Sequence, residues 1–379
     1  ANIAAVTYPN RLCVQYTYDP MNRVSSVRWL NHTLDLFYDN AGSLVRESRS
    51  NSVQSIYTFD KDQRLAGLAH RSRESVLADL RYERDPAGNI IQESGITAGP
   101  AADPLSGVVG SSGTAFINSL NQIISRGSDT FTYDTDGNLT GMRGSRAFSA
   151  RYDPENRPIE ITCDDRHMVY EYGASGPRAR KTCNGSVTEY WYAPEGILLF
   201  ATGSDAGTAR YYIYADGCLV AMVTADNQTF FFHADKTGNI LFMTDSTGKV
   251  AASYTYDPFG FVTGRNEVSV TSDFTYGGAF GGMDEGSGLY FMVNRYYDSL
   301  AGRFLQRDPV GAAGGLNLYC YGNNNPVTAI DPDGLGPKKP QGPQPRPGKS
   351  SGLLWDMKNR FDNFVESTMR TVANTPFVK

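Results

Sequence analysis

Two aspartates near the end of the sequence have the type and setting that acid–base chemistry needs. Asp308 lies in GRFLQRDPVG and Asp331 lies in IDPDGL. Two carboxylates that come close together share one proton, so one can activate water while the other protonates a leaving amine, which is the chemistry of peptide hydrolysis. The residues alone also favour a plainer role, because Asp-Pro pairs begin turns and recur in this chain at positions 19, 85, 103, 153 and 257.

The side chains around these aspartates add few other candidates. Arg307 directly precedes Asp308 and could orient a carboxylate or stabilise an oxyanion, and Asp333 and Arg303 are secondary candidates. No Ser-His-Asp or Cys-His spacing is visible, and the four histidines are scattered at positions 32, 70, 167 and 233. His233 lies in an isolated His-x-Asp pair, which supplies too few ligands for a metal site. We therefore expect neither a metal nor a cofactor.

A unit of about 20 residues recurs along the chain and must position these side chains. Each unit is an aromatic-rich segment ending in Tyr-Asp or a close variant, a polar turn that often holds Gly or Asn, and a second apolar segment. Self-similarity at a fixed period is the signature of a repeat architecture. Examples are YTYDPMNRV at 16–24, LFYDNAGSLV at 36–45, FTYDTDGNL at 131–139 and YTYDPFGFV at 254–262.

The period predicts one β-hairpin per repeat, because two strands of roughly six to eight residues and two short turns use about 20 residues. The Tyr-x-Tyr pattern places two aromatic rings on one face of a strand, where neighbouring repeats can stack them. Asp opens the turn by accepting backbone N–H groups, and Gly or Asn supplies a positive φ. A lone hairpin cannot bury its apolar face, so stacked repeats must share a core. The predicted fold class is all-β.

Composition excludes several classes of protein. Among the 379 residues, abundant Gly (39) and Tyr (23) suit frequent turns and strands. The net charge of −5 argues against a nucleic-acid partner, which would need a clustered basic face. No apolar stretch is long enough for a membrane span, and no signal peptide is visible. The chain opens in mid-pattern without Met, which indicates a fragment or a processed product.

The repeats resemble the YD repeats of bacterial Rhs proteins, of the C component of Tc toxins and of animal teneurins. The likeness covers roughly residues 14–335. Over about 230–335, the ordered segments FHADKTGNI, YDPFGFVTG, GLYFMVNRYYDSLAGRFLQRDPVG, GLNLYCYGNNNPV and IDPDGL are similar to the Rhs repeat-associated core. The resemblance implies a spiralling, hollow β-shell that encloses a C-terminal polypeptide, commonly a toxin.

The resemblance also implies a self-cleavage motif that ends in DPxGL and is cut after its leucine. The family's aspartic-protease-like pair corresponds to Asp308 and Asp331, with Arg307 beside them. The implied scissile bond is Leu335–Gly336, and a site of this kind would act once, on its own chain. The matching motif positions are Pro326, Asp331, Pro332, Gly334, Leu335 and Gly336.

Four regions follow from these patterns. Residues 1–229 are predicted to be YD-repeat β-shell, with a loop insertion at about 96–122, and residues 230–335 to be the core segment with the cleavage motif. Residues 336–352 are predicted to be a Pro/Gly-rich linker. Residues 353–379 have apolar positions at helical spacing, which predicts an amphipathic tail helix that begins a cargo domain or plugs the shell. Only 44 residues follow Leu335, which is too few for most toxin domains.

Two functions remain open from the sequence, and a third has little support. The first is an encapsulation scaffold, secreted by or displayed on a bacterium, that sequesters its own C-terminal cargo and cuts it free. A secretion-system component or further copies of the chain are additional expected partners. The second is a structural or adhesive extracellular protein whose tail helix mediates assembly. A carbohydrate-binding module would rest only on exposed aromatic residues, which packing between repeats explains more simply.

Overall fold

The computed structural model describes residues 2–99, 113–174, 176–193, 196–204 and 206–338. These residues form antiparallel β-sheets, which confirms the predicted all-β fold. Their helices are short 3-10 turns, at Ala206–Thr208, Gly278–Phe280, Gly311–Gly314 and Gly322–Asn324. No helix in this part of the chain is long and apolar enough to cross a membrane. The predicted tail helix at 353–379 and most of the predicted linker at 336–352 lie outside the described residues.

Nine strands form the first sheet in strict sequence order. Each strand pairs antiparallel with the next, as a ribbon of consecutive hairpins must. The strands are β1 (Ala5–Thr7), β2 (Cys13–Tyr18), β3 (Val24–Trp29), β4 (His32–Tyr38), β5 (Leu44–Arg49), β6 (Gln54–Phe59), β7 (Leu65–Arg71), β8 (Val76–Arg84) and β9 (Ile90–Thr97).

Sixteen strands form the second sheet, again in sequence order. Its first strand lies within the predicted loop insertion at 96–122, and the sheet continues without a break past residue 229. The strands are β10 (Ala115–Ile117), β11 (Ile123–Arg126), β12 (Asp129–Tyr133), β13 (Leu139–Arg143), β14 (Phe148–Tyr152), β15 (Pro158–Cys163), β16 (Arg166–Tyr172), β17 (Arg178–Cys183), β18 (Ser186–Tyr192), β19 (Leu198–Gly203), β20 (Arg210–Ala215), β21 (Cys218–Thr224), β22 (Thr229–Ala234), β23 (Ile240–Thr244), β24 (Val250–Tyr256) and β25 (Val262–Glu267).

A separate sheet of four short strands follows. Every residue of its two central strands is buried, as is typical of strands in a core. After the last strand, the described chain continues in turns and isolated bridges to Lys338. The four strands are β26 (Met283–Gly286), β27 (Leu289–Met292), β28 (Arg295–Asp298) and β29 (Arg303–Phe304).

The aspartates of the repeats act as turn residues, as the pattern predicted. Oδ1 of Asp19 accepts the N–H groups of Met21 and Arg23, each at 2.9 Å. Its Oδ2 accepts Nε of Arg23 at 2.6 Å. Asn22 supplies the positive φ of the turn, at 67°, which Asn tolerates better than most residues. The same bonds recur in the turns that begin at Asp60 and Asp153.

Where a tyrosine precedes the turn aspartate, it links one repeat to the preceding one. Its hydroxyl donates to a backbone carbonyl about one hairpin earlier, at 2.9 Å from Tyr38 to Val24 and at 2.6 Å from Tyr256 to Ile240. Buried phenol groups need such a partner. The Tyr-Asp pair therefore combines a link between repeats with the opening of a turn.

The first and second sheets pack on each other through an apolar core. The ring of Trp29 on β3 lies 5.6 Å from the ring of Phe231 on β22, and its indole N–H donates to the hydroxyl of Thr229 at 3.3 Å. The four-stranded sheet packs on the other part of the second sheet, where Tyr296 on β28 lies 5.3 Å from Tyr170 on β16.

Two buried carboxylates also fix the four-stranded sheet against the second sheet. Glu285 on β26 is fully buried and accepts Nη1 of Arg178 at 2.6 Å and Nζ of Lys181 at 3.2 Å. Asp298 on β28 accepts Nη2 of Arg146 at 2.6 Å. Buried charges persist only when they are paired, so these contacts hold the small sheet in one position.

Candidate functional site

Asp331 is in direct contact with the peptide bond predicted to be cut. It follows an isolated β-bridge between Ile330 and Lys338 and is fully buried. Its carboxylate turns back onto its own chain, where Oδ1 accepts the N–H of Leu335 at 2.9 Å. Both carboxylate oxygens accept the N–H of Gly336 at 3.1 Å. The carboxylate therefore touches the nitrogen of the Leu335–Gly336 bond.

Asp308 opens a turn in the loop after β29 through its backbone and Oδ1. Its second carboxylate oxygen, Oδ2, remains available for another partner. Its N–H donates to the carbonyl of Leu318 at 2.9 Å, and its carbonyl accepts the N–H of Gly311 at 3.0 Å. Oδ1 accepts the N–H of Val310 at 3.0 Å. The turn role that an Asp-Pro pair suggests is thus present, while Oδ2 faces the interior, where Asp308 is only 7% exposed.

Arg295 joins the two aspartates. It is the first residue of β28, and its Nη2 lies 2.8 Å from Oδ2 of Asp331 and 3.0 Å from Oδ2 of Asp308. The rest of the guanidinium is also engaged, since Nε donates to the carbonyl of Gly334 at 2.6 Å. Nη1 donates to the carbonyl of Leu318 at 3.0 Å. The predicted pair of carboxylates therefore meets on one nitrogen rather than in a direct hydrogen bond.

Burial disfavours charge both on Asp331 and on the arginine that it contacts. Burial raises the pKa of Asp331 above its usual range, although Arg295 and the backbone N–H of Gly336 oppose the shift. Burial also lowers the pKa of Arg295, whose guanidinium carbon lies 3.6 Å from the centre of the Phe304 ring. One guanidinium therefore faces two buried carboxylates, an arrangement in which burial works against the charge on Asp331.

The turn between β27 and β28 holds the cleavage motif from the other side. Nδ2 of Asn294 donates to the carbonyl of Asp333 at 2.8 Å, next to the bond from Arg295 to Gly334. Gly334 has a φ of 65°, and a Cβ at this position would lie 2.8 Å from the carbonyl oxygen of Met292. Glycine is therefore required for so close an approach. The backbone on both sides of Leu335 is held in place.

The two arginines that were candidates from the sequence, Arg307 and Arg303, bond to groups other than the two aspartates. Nε of Arg307 donates to the hydroxyl of Tyr319 at 3.3 Å. Nη1 of Arg303 donates to the carbonyl of Asn121 at 2.7 Å. Arg295, which does reach the aspartates, was missed. Its signal in the sequence is a charged residue within the apolar and aromatic run LYFMVNRYYD, because a buried charge needs a partner.

The remaining motif positions surround the cluster without entering it. The carboxylate of Asp333 pairs with the ammonium of Lys338. Pro326 is buried and Pro332 is half-buried. Thus the structure brings Asp308, Asp331, Gly334, Leu335 and Gly336 together, and it leaves Asp333 beside them.

Other chemistries have little support elsewhere in the described residues. No group of three or more His, Cys, Asp or Glu side chains there is arranged to hold a metal ion. The five cysteines are free thiols. Burial raises the pKa of Cys320, and a thiol that keeps its proton is a poor nucleophile.

Comparison with known proteins gives relatives for most of the chain. The family described as Teneurin YD-shell matches residues 118–327. The tRNA nuclease WapA of Bacillus subtilis (strain 168) is 34% identical over 228 residues, which are 58% of this chain and 10% of that protein. Double-stranded DNA deaminase toxin A of Burkholderia cenocepacia (strain H111) is 27% identical over 362 residues, which are 85% of this chain and 23% of that protein.

The solved structures agree on the fold. The crystal structure of TcdB2-TccC3 superimposes with a TM-score of 0.65 at 20% sequence identity, and the match covers 87% of this chain and 21% of that chain. At this identity the likeness shows the fold alone. The chain spans about a tenth of the length of the WapA relatives that it matches.

Proposed function

The chain belongs to the Teneurin YD-shell family, and from this premise we propose that it is part of a bacterial β-shell that releases an enclosed polypeptide by cutting its own chain. The cargo is the polypeptide that follows the motif, and the name of one relative, Double-stranded DNA deaminase toxin A, favours a toxic polypeptide. The cut falls between Leu335 and Gly336. The protein acts once, as the scaffold and the protease of a single chain.

One observation carries this proposal. The carboxylate of Asp331 contacts the nitrogen of Gly336 and shares Arg295 with Asp308. An ordinary turn aspartate needs only backbone N–H groups, whereas this arrangement also brings two buried carboxylates to one guanidinium and one peptide bond. Those are the parts that hydrolysis by an acid and a base requires.

We assign different roles to the two aspartates. Asp331 is proposed as the acid, because burial raises its pKa and its carboxylate lies 3.1 Å from the leaving nitrogen, whose N–H it accepts before the reaction. Asp308 is the base that accepts a proton from water. Arg295 holds both carboxylates and the carbonyl of Gly334, so it fixes the distance between acid, base and bond.

The reaction balances with water as the only co-reactant. The water oxygen adds to the carbonyl carbon of Leu335 while one water proton passes to Asp308. The carbon–nitrogen bond then breaks, and Asp331 gives its proton to the nitrogen of Gly336. The products are a new carboxyl group on Leu335 and a new amino group on Gly336.

Intact-mass measurement of the purified protein tests the proposal. The wild-type chain is expected to give two pieces, residues 1–335 and 336–379. The variant Asp308→Asn is expected to stay whole, because an amide cannot accept the proton. Asp153→Asn is the matched control, since it changes an Asp-Pro turn outside the cluster and should cleave normally. Cleavage of Asp308→Asn at the wild-type rate would overturn the proposed chemistry.

A further inference from the structure

Gly314 occupies the space next to the carboxylate of Asp308, and we infer that it is a positioning residue for self-cleavage. The absence of a side chain at this position leaves the room in which Asp308 reaches Arg295. This inference rests on the proposed function, and it adds a residue that does not itself touch the reacting atoms.

The loop after Asp308 returns the chain to its own starting point. The carbonyl of Asp308 accepts the N–H of Gly311 at 3.0 Å, and the 3-10 turn Gly311–Gly314 follows. The N–H of Gly315 then donates to the carbonyl of Ala312 at 3.2 Å. This tight path brings Gly314 back against the side chain with which the loop began.

The fit between Gly314 and Asp308 leaves no room for a methyl group. A Cβ on Gly314 would lie 2.3 Å from Oδ2 and 2.8 Å from Cγ of Asp308. That Oδ2 is the atom that lies 3.0 Å from Nη2 of Arg295. Gly314 is not among the residues with positive φ, so the backbone itself would accept alanine. The requirement for glycine is therefore one of space.

Gly314 also packs against the residue that follows the scissile bond. A Cβ on Gly336 would lie 3.3 Å from Cα of Gly314. One glycine thus contacts the base of the reaction on one side and the leaving segment on the other. A shift of the loop would change the distance between Asp308 and the Leu335–Gly336 bond.

A methyl group at position 314 must push the carboxylate of Asp308 away from Arg295 or move the loop. Either displacement separates the base from the acid and from the bond. Misplacement by about 1 Å costs on the order of 100-fold in rate. The expected result of Gly314→Ala is therefore a loss of about 100-fold in the cleavage rate, with the β-sheets intact.

The first test compares cleavage rates by intact mass after refolding from urea. Gly173→Ala is the matched control, because Gly173 also lacks a positive φ and a Cβ there would lie 3.7 Å from its nearest neighbour, the carbonyl oxygen of Pro177. Gly173→Ala is expected to cleave at the wild-type rate, and an equal loss of rate in the two variants would contradict the inference.

The second test does not depend on cleavage. Gly314→Ala should lower the melting temperature in the wild-type background and have a smaller effect in an Asp308→Ala background, where the clash is gone. Equal effects in both backgrounds would overturn the inference. If the wild-type chain stays whole, the proposed function fails. If wild type and Gly314→Ala cleave at the same rate, the proposed function stands and the role of Gly314 fails.

Discussion

His70 on β7 and His233 on β22 face each other across the contact between the first and second sheets, with ring centroids 5.3 Å apart. Both rings are buried. The ring of His70 bonds to the hydroxyl of Ser55 at 2.9 Å, and the ring of His233 bonds to the hydroxyl of Thr244 at 2.8 Å. Burial, helped by the nearby charge of Arg49, lowers the pKa of His70 to about 3. The same causes hold the pKa of His233 well below its usual value.

This pair predicts that acid weakens the contact between the two sheets. In the unfolded chain the two histidines take up protons below about pH 6.5, whereas the folded chain keeps them neutral. Stability is therefore complete above that pH and is lost as pH falls toward the folded values, by up to about 1.4 kcal/mol per pH unit for each histidine. Arg49 is a charge that acts on both rings, and the carboxylate of Glu47 is already paired with it.

Urea unfolding at pH 7, 6 and 5 measures this dependence. His70→Gln should reduce the slope of stability against pH, because one of the two buried imidazoles no longer titrates. His167→Gln is the control, since that side chain is 53% exposed on the surface of the second sheet. If the free energy of unfolding changes with pH by the same slope in wild type and in His70→Gln, His70 is not a source of the acid sensitivity.

The variant Glu285→Gln tests the buried ion cluster that fixes the four-stranded sheet. It leaves Arg178 and Lys181 without their carboxylate in a buried setting, which should cost about 3–5 kcal/mol of unfolding free energy. Glu189→Gln breaks an ion pair of similar length, 2.7 Å to Arg180, in which both side chains are about 40% exposed. Glu189→Gln should therefore lower the free energy of unfolding by at most about 1 kcal/mol. Equal losses in denaturant titrations would argue against the cluster's role.

Tyr256→Phe isolates the hydroxyl that links two repeats. Its loss leaves the carbonyl of Ile240 without that donor, and the expected cost is about 0.5–1.5 kcal/mol. Tyr256→Ala also removes the ring and should lower the melting temperature further, as should Tyr133→Ala, whose hydroxyl donates to Ile123 at 3.2 Å. A melting temperature unchanged by Tyr256→Ala would rule out this link.

The variant Arg295→Lys tests whether the guanidinium fork is needed. Lysine keeps the charge but cannot bond at once to two carboxylates and the carbonyls of Gly334 and Leu318. We expect cleavage to slow by on the order of 100-fold. Arg303→Lys is the control, because the carbonyl of Asn121 can accept from either side chain. Comparable rates for the two variants, followed by intact mass, would show that a point charge is sufficient.

The features that could be predicted from sequence are local ones. The Tyr-Asp unit encodes a turn and a strand within about 20 residues, so the all-β fold follows from its period. Asp308 and Asp331 lie in short segments that resemble the Rhs repeat-associated core, and this resemblance made them candidates for the catalytic pair. Each of these signals can be read without knowing where distant residues meet.

The features that were missed depend on distant contacts. Arg295 donates to Asp331 from 36 positions away in the chain. Arg307 was predicted to assist the aspartates only because it is adjacent to Asp308, but its Nε donates to the hydroxyl of Tyr319. Likewise, Trp29 meets Thr229 across 200 positions, and no periodicity within a repeat indicates which repeats will face each other. The packing of sheet on sheet decides both outcomes.

The pH dependence of cleavage provides the last prediction. Because Asp331 must hold a proton to release Gly336, cleavage should slow as pH rises through the pKa of Asp331, which burial places above its usual range. The negative charge of Asp333 also raises that pKa. Asp333→Asn should therefore lower the pKa of Asp331 and move the fall in rate to lower pH, while the backbone bond from Asn294 to residue 333 remains.

Refolding from urea at a series of pH values, with the products weighed by mass spectrometry, measures this shift. The control is Asp153→Asn, which removes a carboxylate outside the cluster and should leave the profile in place. A profile that moves to higher pH in Asp333→Asn, or that rises with pH in wild type, would mean that Asp331 is not the acid.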